Sequence, residues 1–354
     1  MIIQTTEQMN FSDYAIAKRK IDMSFFDNIN KIVDWNKLEV IIKKFYDKGQ
    51  SVDGRSAYSG LLLFKITLLQ QWFKLSDVAV EERINDSIKF NKFLELSLED
   101  SVPDHSVISR FRTVMAEKNA TKKVLGELNR QLSKHKIMVK TGVIIDASIT
   151  VTDFTPDTPT TFELPEDRAE DIEGVSKEEH NYYQTVQLKA SEGVDTEARW
   201  LKKGNKSYYG YKKHVATNDD GLVLAVQTTP ANESDTGQLK TLLKELRIKK
   251  GTRVKADKGY TSASNKEFLK SLGLKNGIQY KAVRGKALTT REKSFNKAIS
   301  KTRYVIERTF GSIVKWFDGA KARYKGLQKT DYQHHTQAIA YNIYRAPGLV
   351  WAKA

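Results

Sequence analysis

Two aspartates in the sequence each lie at the carboxyl end of a predicted strand. Asp146 comes directly after the apolar run Val143-Ile144-Ile145, and Asp257 sits at the end of a second predicted strand in the segment VKADKGY. Carboxylates at the carboxyl ends of neighbouring strands meet at the functional edge of an α/β sheet. Two carboxylates held together repel each other, and a divalent cation bound by hard oxygen ligands removes that conflict. The pair therefore predicts a Mg²⁺ or Mn²⁺ site.

A third acidic residue, Glu307, lies on a predicted basic helix beside the apolar stripe of that helix. The stripe consists of Ile306, Phe310, Ile313 and Phe317. Three carboxylates suit two divalent ions about 4 Å apart, which stabilise the attacking and leaving oxygens in phosphodiester cleavage. Taken singly, Asp146 and Asp257 are also explained as turn residues at strand ends. Glu307 alone is also explained as the ion-pair partner of Arg303, four positions earlier. The prediction depends on the three occurring together.

Positive charge dominates the chain. Its 354 residues include 59 Lys and Arg against 43 Asp and Glu, which gives a formal net charge of +16. Between positions 281 and 329 there are fourteen basic and three acidic residues. This balance indicates a polyanionic partner, with nucleic acid first and an anionic membrane surface second, although a basic surface that serves only solubility remains the alternative.

The chain lacks the sequence features of a membrane or secreted protein. It has no cysteine, which excludes disulfides, thiol nucleophiles and Cys-ligated zinc. The first twenty residues do not combine a basic start with an apolar core, and no apolar run approaches the roughly 20 residues that span a bilayer. We therefore expect a soluble cytoplasmic protein without a membrane partner.

The pattern of apolar residues changes near position 140. Residues 1–140 carry apolar residues at helical spacing and predict an all-helical N-terminal domain. In the helix that starts at PDHSVISRFR, with Ser101 as a possible cap, Arg110 and Arg112 lie off the apolar stripe and are expected to face away from the core. Residues 141–354 alternate strands and helices, including a hairpin at Asn218-Asp219-Asp220-Gly221, and predict a mixed α/β domain. An acidic insertion or loop interrupts it at about 155–199.

Four segments in this order resemble one known family. They are VIIDAS, YYGYKKHVATNDDGLVLAVQTTPANESDTGQLKTLL, VKADKGY and RYVIERTFGSIVKWF, and the helical segments upstream also match. The series resembles transposases of the IS5 group of bacterial insertion sequences, over about residues 55–345. These are DDE transposases, so the resemblance implies a ribonuclease H-like α/β catalytic domain. It also implies Asp146, Asp257 and Glu307 as the catalytic ligands of two Mg²⁺ ions, with Mn²⁺ as a substitute.

The resemblance also implies candidate DNA contacts. They are Lys212, His214, Trp200, Arg303, Arg308, Lys315, Arg110 and Arg112. Lys212 and His214 are expected near the scissile phosphate or the DNA backbone, with the exposed surface of an edge strand as the alternative. Trp200 is expected either to stack on a splayed base or to belong to the core beneath the insertion.

The family's signature of Tyr, Arg, Glu and Lys is only partly present. Arg303 and Glu307 fit it, but Ser300 stands where the Tyr belongs, and Lys315 comes one residue late. In TPANESD, Asp235 is expected mainly to cap a helix or shape a loop, and secondarily to orient a phosphate or metal. His334 and His335 are expected on a solvated helix face.

The resemblance implies a transposase that binds the terminal inverted repeats of an insertion sequence, cleaves its ends and joins them to target DNA. Its partners are those DNAs and further copies of the chain, as a homodimer or higher assembly on paired ends. When bound to DNA, the protein is expected at the bacterial nucleoid. Two alternatives are a ribonuclease H-like nuclease without strand transfer, and a DNA-binding derivative without catalysis.

Overall fold

The computed structural model describes residues 20–47, 57–138, 142–156, 193–283 and 285–352. Most of the acidic insertion expected at 155–199 therefore lies outside the described residues. In the described part of the chain, seven helices precede the first strand. They are α1 (Ser24–Asn30), α2 (Trp35–Lys43), α3 (Gly60–Phe73), α4 (Asp77–Asp86), α5 (Ile88–Leu94), α6 (His105–Glu117) and α7 (Ala120–Lys134).

A mixed sheet follows these helices. Its strands are β1 (Gly142–Val151), β2 (Arg199–Lys203), β3 (Lys206–Thr217), β4 (Val223–Pro230), β5 (Arg253–Ala256) and β6 (Lys275–Ile278). β3 runs antiparallel to β1, β2 and β4, whereas β5 runs parallel to both β1 and β6. The predicted hairpin joins β3 to β4, and Gly221 takes the positive φ of +85° that such a turn requires. This mixed α/β sheet confirms the predicted ribonuclease H-like fold class.

Four further helices and a short 3₁₀ turn pack around this sheet. They are α8 (Asp235–Lys244), the 3₁₀ turn Lys258–Tyr260, α9 (Ala263–Ser271), α10 (Thr290–Phe317) and α11 (Leu327–Trp351). α10 packs on β1 and β5, while α8 packs on β3, β4 and the 3₁₀ turn. A capping box formed by Thr289 and Glu292 fixes the start of α10.

The last helix, α11, joins the two parts of the fold. It packs on β4 and also on α1, α3, α6 and α7. Buried residues from the N-terminal helices, the sheet and α11 belong to a single apolar cluster, exemplified by Phe64, Ile145 and Ile339, each with 0% exposure. The helices before residue 140 are therefore packed rigidly against the sheet that carries the aspartates.

Several local predictions need correction. Asp104, rather than Ser101, caps α6 by accepting a hydrogen bond from the Val107 backbone N–H. His334 and His335 are buried rather than solvated, because α11 is covered by the sheet on one side and by N-terminal helices on the other.

No helix within the described ranges has both the length and the apolar character needed to cross a membrane.

Candidate active site

The register of two parallel strands places Asp146 beside Asp257. β1 pairs with β5 from Gly142 opposite Arg253 to Ile145 opposite Ala256, and each aspartate is the next residue along the chain after this pairing ends. The sequence predicted that Asp146 ends its strand. In the structure β1 continues to Val151, because its antiparallel pairing with β3 extends beyond this aspartate. The parallel pairing ends at Ile145, so the two carboxylates lie where β1 and β5 cease to pair.

Arg303 of α10 lies against this carboxylate pair. Its guanidinium donates a hydrogen bond to Asp146 Oδ2 and lies 4.0 Å from Glu307 Oε1. Asp146 Oδ1 accepts a second hydrogen bond, of 2.9 Å, from the backbone N–H of Ala147. One cationic side chain thus contacts two of the three predicted catalytic residues, and the ion pair expected between Arg303 and Glu307 is part of that arrangement.

Burial and charge act in opposite directions at this pair. Burial raises the pKa of Asp146 above its ordinary value, Arg303 opposes that effect, and the nearby charge of Asp257 adds to it. For Arg303, burial alone would lower the pKa, but Asp146 and then Asp257 raise it above its ordinary value. Arg303 therefore remains charged and partly neutralises an acidic centre.

The donor chemistry of the centre fits a divalent cation. Asp146 and Asp257 supply hard carboxylate oxygens from adjacent strands, and Glu307 projects from α10 with 63% of its side chain exposed. In the part of the chain that the structure describes, no three His, Cys, Asp or Glu side chains are already close enough to hold one ion. Arg303 lies among these carboxylates, so a metal bound by all three requires Arg303 and Glu307 to move.

Tyr260 is a member of the centre that the sequence reasoning missed. Its side chain has 0% exposure, and its hydroxyl has no hydrogen-bond partner among the residues that the structure describes. Burial raises the pKa of this hydroxyl well above its ordinary value, so it stays protonated as a hydrogen-bond donor. Three nearby carboxylates act in the same direction: Asp235, Asp146 and Asp257. The signal in the sequence was the position of this tyrosine, three residues after Asp257 in VKADKGY.

Lys212 and His214 lie on an interior strand, so the edge-strand alternative is wrong. Lys212 Nζ donates 2.9 Å and 2.7 Å hydrogen bonds to Asp235 Oδ1 and to the Glu233 carbonyl oxygen. His214 is fully buried, with Nε2 at 3.0 Å from Thr229 Oγ1 and Nδ1 at 4.0 Å from Asp235 Oδ1. Burial lowers the pKa of His214 to about 4, so the ring is neutral at pH 7. In this conformation neither side chain is free for direct contact with DNA.

The two arginines of α6 differ in their surroundings. Arg110 lines a surface pocket together with His105 and Ser109. Arg112 is only 4% exposed, donates a hydrogen bond to Asp77 and lies over the ring of Tyr324 at 4.3 Å. The expectation that both face away from the core is therefore wrong for Arg112, which is part of the packing between helices.

The remaining candidate DNA contacts are exposed. Trp200 lies on β2 with 42% exposure and packs against Tyr209, so it is not a core tryptophan. Arg308 and Lys315 are exposed on α10. The same helix carries three further exposed lysines at four-residue spacing that had not been singled out: Lys293, Lys297 and Lys301. Residues four apart share a helix face, so these lysines form a basic stripe along the exposed side of α10.

Comparisons with known proteins give consistent matches. A family model described as Transposase DDE domain matches residues 137–343, and one described as Transposase domain (DUF772) matches residues 15–114. The transposase for insertion sequence element IS1106 of Neisseria meningitidis serogroup B is 34% identical over 247 residues, which is 69% of this chain and 79% of that protein. The piggyBac transposase in a synaptic complex with hairpin DNA aligns with a TM-score of 0.41 at 11% identity, over 96% of this chain and 77% of that chain.

Proposed function

We propose that this enzyme, which belongs to the DDE transposases of insertion sequences, cuts the ends of its own element and joins them to target DNA. The DDE domain model and the 34%-identical relative show its membership of that family. The observation that carries this proposal is the position of Asp146 beside Asp257 at the open edge of the sheet. Glu307 on the adjoining helix supplies the third carboxylate, because it shares Arg303 with Asp146.

Divalent ions are general cofactors of the DDE transposase family. We assign two Mg²⁺ ions, replaceable by Mn²⁺, to Asp146, Asp257 and Glu307. When bound, such ions activate water or a 3′-hydroxyl and stabilise the leaving oxygen. Asp146 and Asp257 are held by the sheet, whereas Glu307 reaches the centre from an exposed position on α10. Arg303 neutralises Asp146 until DNA arrives and is then placed to bind a phosphate oxygen.

The DNA path follows α10. The basic stripe of Lys293, Lys297 and Lys301 follows the exposed side of this helix, whereas Arg303 lies on a different face of it, at the acidic centre. Arg308 and Lys315 continue the positive charge beyond Glu307. Phosphate contacts of this kind fix the position of DNA without reading its sequence. We assign recognition of the terminal inverted repeats to residues 1–140, with Arg110 as a contact, and catalysis to residues 141–354.

The test is cleavage of a DNA fragment that ends in the element's own inverted repeats, with Mg²⁺ compared with EDTA. We predict that Asp146→Asn, Asp257→Asn and Glu307→Gln each abolish cleavage while end binding persists, because each change removes one metal-ligand charge and preserves shape. Glu292→Gln, at the start of the same helix as Glu307, is the matched control and should cleave normally. Near-normal cleavage by any one of the three variants would show that its carboxylate is misassigned.

A second readout separates transposition from simple hydrolysis. Joined products on a supercoiled target plasmid are expected when cut ends and Mg²⁺ are supplied. Cut ends without joined products would instead favour a nuclease. Two ends must be held together for joining, so we propose that the protein acts as a homodimer or larger assembly on paired ends. Light scattering with and without end DNA measures that state.

A further inference from the structure

A fourth carboxylate, that of Asp235, reaches the sheet edge where Asp146 and Asp257 lie. Ser234 caps α8 by accepting a hydrogen bond from the Thr236 backbone N–H, so Asp235 is the first residue of the helix and its carboxylate is not used as the cap. This differs from the capping role that the sequence suggested. Asp235 Oδ1 is bound by Lys212 Nζ, while Oδ2 points toward the turn that follows Asp257.

Gly259 shows how close Asp235 and Asp257 lie. A Cβ atom added to Gly259 would be 2.9 Å from Asp257 Oδ1 and 3.7 Å from Asp235 Oδ2. Asp257 Oδ1 accepts a 2.7 Å hydrogen bond from the Gly259 backbone N–H, so this oxygen caps the turn, and both carboxylates border the space beside this glycine. Gly259 is itself exposed, so the space is accessible from solvent.

Hydrogen bonds between elements fix this arrangement. The Thr236 hydroxyl donates a 2.9 Å hydrogen bond to the carbonyl oxygen of Gly259. The Asn265 side-chain amide donates 2.8 Å hydrogen bonds to the carbonyl oxygens of Thr236 and Tyr260. The start of α8 is thereby tied to the 3₁₀ turn, and the spacing of the two carboxylates is set by the fold rather than by flexible side chains.

Two buried polar atoms of this region have no hydrogen-bond partner among the described residues. The hydroxyl of Tyr260 is fully buried, and its pKa is raised first by that burial and then by the negative charge of Asp235. Nδ1 of His214 is also buried and unpaired, at 4.0 Å from Asp235 Oδ1. Buried polar groups are nearly always hydrogen-bonded, so these two atoms are available to bind an additional polar ligand.

We propose that Asp235 and Asp257 together hold a hydrated divalent cation, whose water molecules the Tyr260 hydroxyl and His214 Nδ1 bind. This inference rests on the proposed function, because Asp257 belongs to the proposed catalytic site as well as to this cation site. The family resemblance implied three carboxylates in the acidic centre, and this cation site adds Asp235, Tyr260 and His214 to them. Lys212 then competes with the cation for Asp235, as Arg303 competes for Asp146.

Binding of Mn²⁺ to the full-length protein without DNA tests this inference, with free Mn²⁺ measured by electron paramagnetic resonance. Asp235→Asn is expected to weaken Mn²⁺ binding by about 10–100-fold. Glu233→Gln is the matched control, since it removes an exposed carboxylate two residues earlier and should bind as the unaltered protein does. Lys212→Met should bind Mn²⁺ more tightly, because it removes the competing cation and leaves both carboxylates in place.

The opposite effects of Asp235→Asn and Lys212→Met separate ion binding from a structural role. If the ion pair only stabilised α8, both variants would melt earlier and neither would change Mn²⁺ affinity. Gly259→Ala, which puts a methyl group between the carboxylates, is expected to weaken binding as Asp235→Asn does. Mn²⁺ affinity equal to that of the unaltered protein in Asp235→Asn would overturn the inference. Cleavage by the Asp146, Asp257 and Glu307 variants is a separate measurement, so it tests the proposed function independently of the Mn²⁺ binding result.

Discussion

Arg110 and Arg112 have opposite surroundings although only one residue separates them. Successive helical residues are about 100° apart, so the two side chains lie roughly 200° apart on opposite flanks of the α6 apolar stripe. One flank lines a surface pocket, and the other is covered by Asp77 and Tyr324. A residue that lies off an apolar stripe is therefore not necessarily exposed, because a second helix can pack against the flank.

Replacement of these arginines should separate folding from DNA binding. Arg112→Met is expected to lower the free energy of unfolding by about 3 kcal/mol, because Asp77 loses its partner in a largely buried ion pair. Arg110→Met, the matched control, should leave unfolding unchanged and weaken binding to end DNA. Urea unfolding and a binding titration measure the two effects. Equal stability of the two variants would contradict the assignment of Arg112 to packing.

At the scale of elements, β3 presents different residues to the helices on its two sides. Lys212 and His214 point toward Asp235 at the start of α8, whereas Lys213 points to the opposite face and α11. Lys213 Nζ donates hydrogen bonds of 3.3 Å and 3.1 Å to the Gly319 carbonyl and Gln337 Oε1. Among the described residues, no carboxylate forms an ion pair with Lys213, so no negative charge offsets the effect of burial on its pKa.

Lys213 should make stability depend on pH in the alkaline range. Burial lowers the pKa of Lys213 from 10.5 to about 7 in the folded protein, so the unfolded chain binds its proton more tightly. The free energy of unfolding contributed by this group therefore rises with pH between about 7 and 10 and is lowest below pH 7. Urea unfolding at several pH values should show this slope in the unaltered protein.

Lys213→Met is expected to remove that slope, since the buried group no longer titrates. Lys206→Met is the matched control, because Lys206 lies at the exposed start of the same strand and should leave the slope unchanged. Parallel stability curves for the Lys213→Met variant and the unaltered protein would contradict the assignment. The absolute stability of Lys213→Met also includes the loss of two hydrogen bonds, so the slope is the informative quantity.

At the scale of the whole molecule, charge and packing act together. The net charge of +16 favours a polyanionic partner, and the exposed lysines of α10 place part of that charge on the helix that also carries Arg303 and Glu307. α11 packs against both the sheet and the N-terminal helices. The helices proposed to recognise DNA ends are thereby held in a fixed relation to the residues proposed to cut them.

Binding to end DNA should weaken steeply with salt. If the protein neutralises six to ten phosphates, affinity falls by about 10³–10⁵-fold between 50 and 200 mM salt. Lys297→Gln should reduce the slope of log affinity against log salt by about 1, because it removes one phosphate contact. Lys270→Gln on α9, outside the proposed path, should leave the slope unchanged. A flat salt dependence would contradict the proposed basic path along α10.

The sequence by itself determined the α/β fold class, the hairpin at Gly221 and the strands that lead to Asp146 and Asp257. These features depend on local patterns: apolar runs, turn residues and helical spacing. The burial of Arg112, His214 and His334 was decided only by the tertiary structure, because it depends on which distant element packs against each one.

The same holds for the composition of the acidic centre. Asp146 and Asp257 were found because each lies at the end of a predicted strand, a signal present in the chain itself. Asp235 and Tyr260 follow no such rule. Their place depends on how α8 and the 3₁₀ turn are tied together through Thr236 and Asn265. Side chains from separate elements converge only when the chain folds, so the sequence determined the strands of this site and tertiary packing decided which other groups surround its carboxylates.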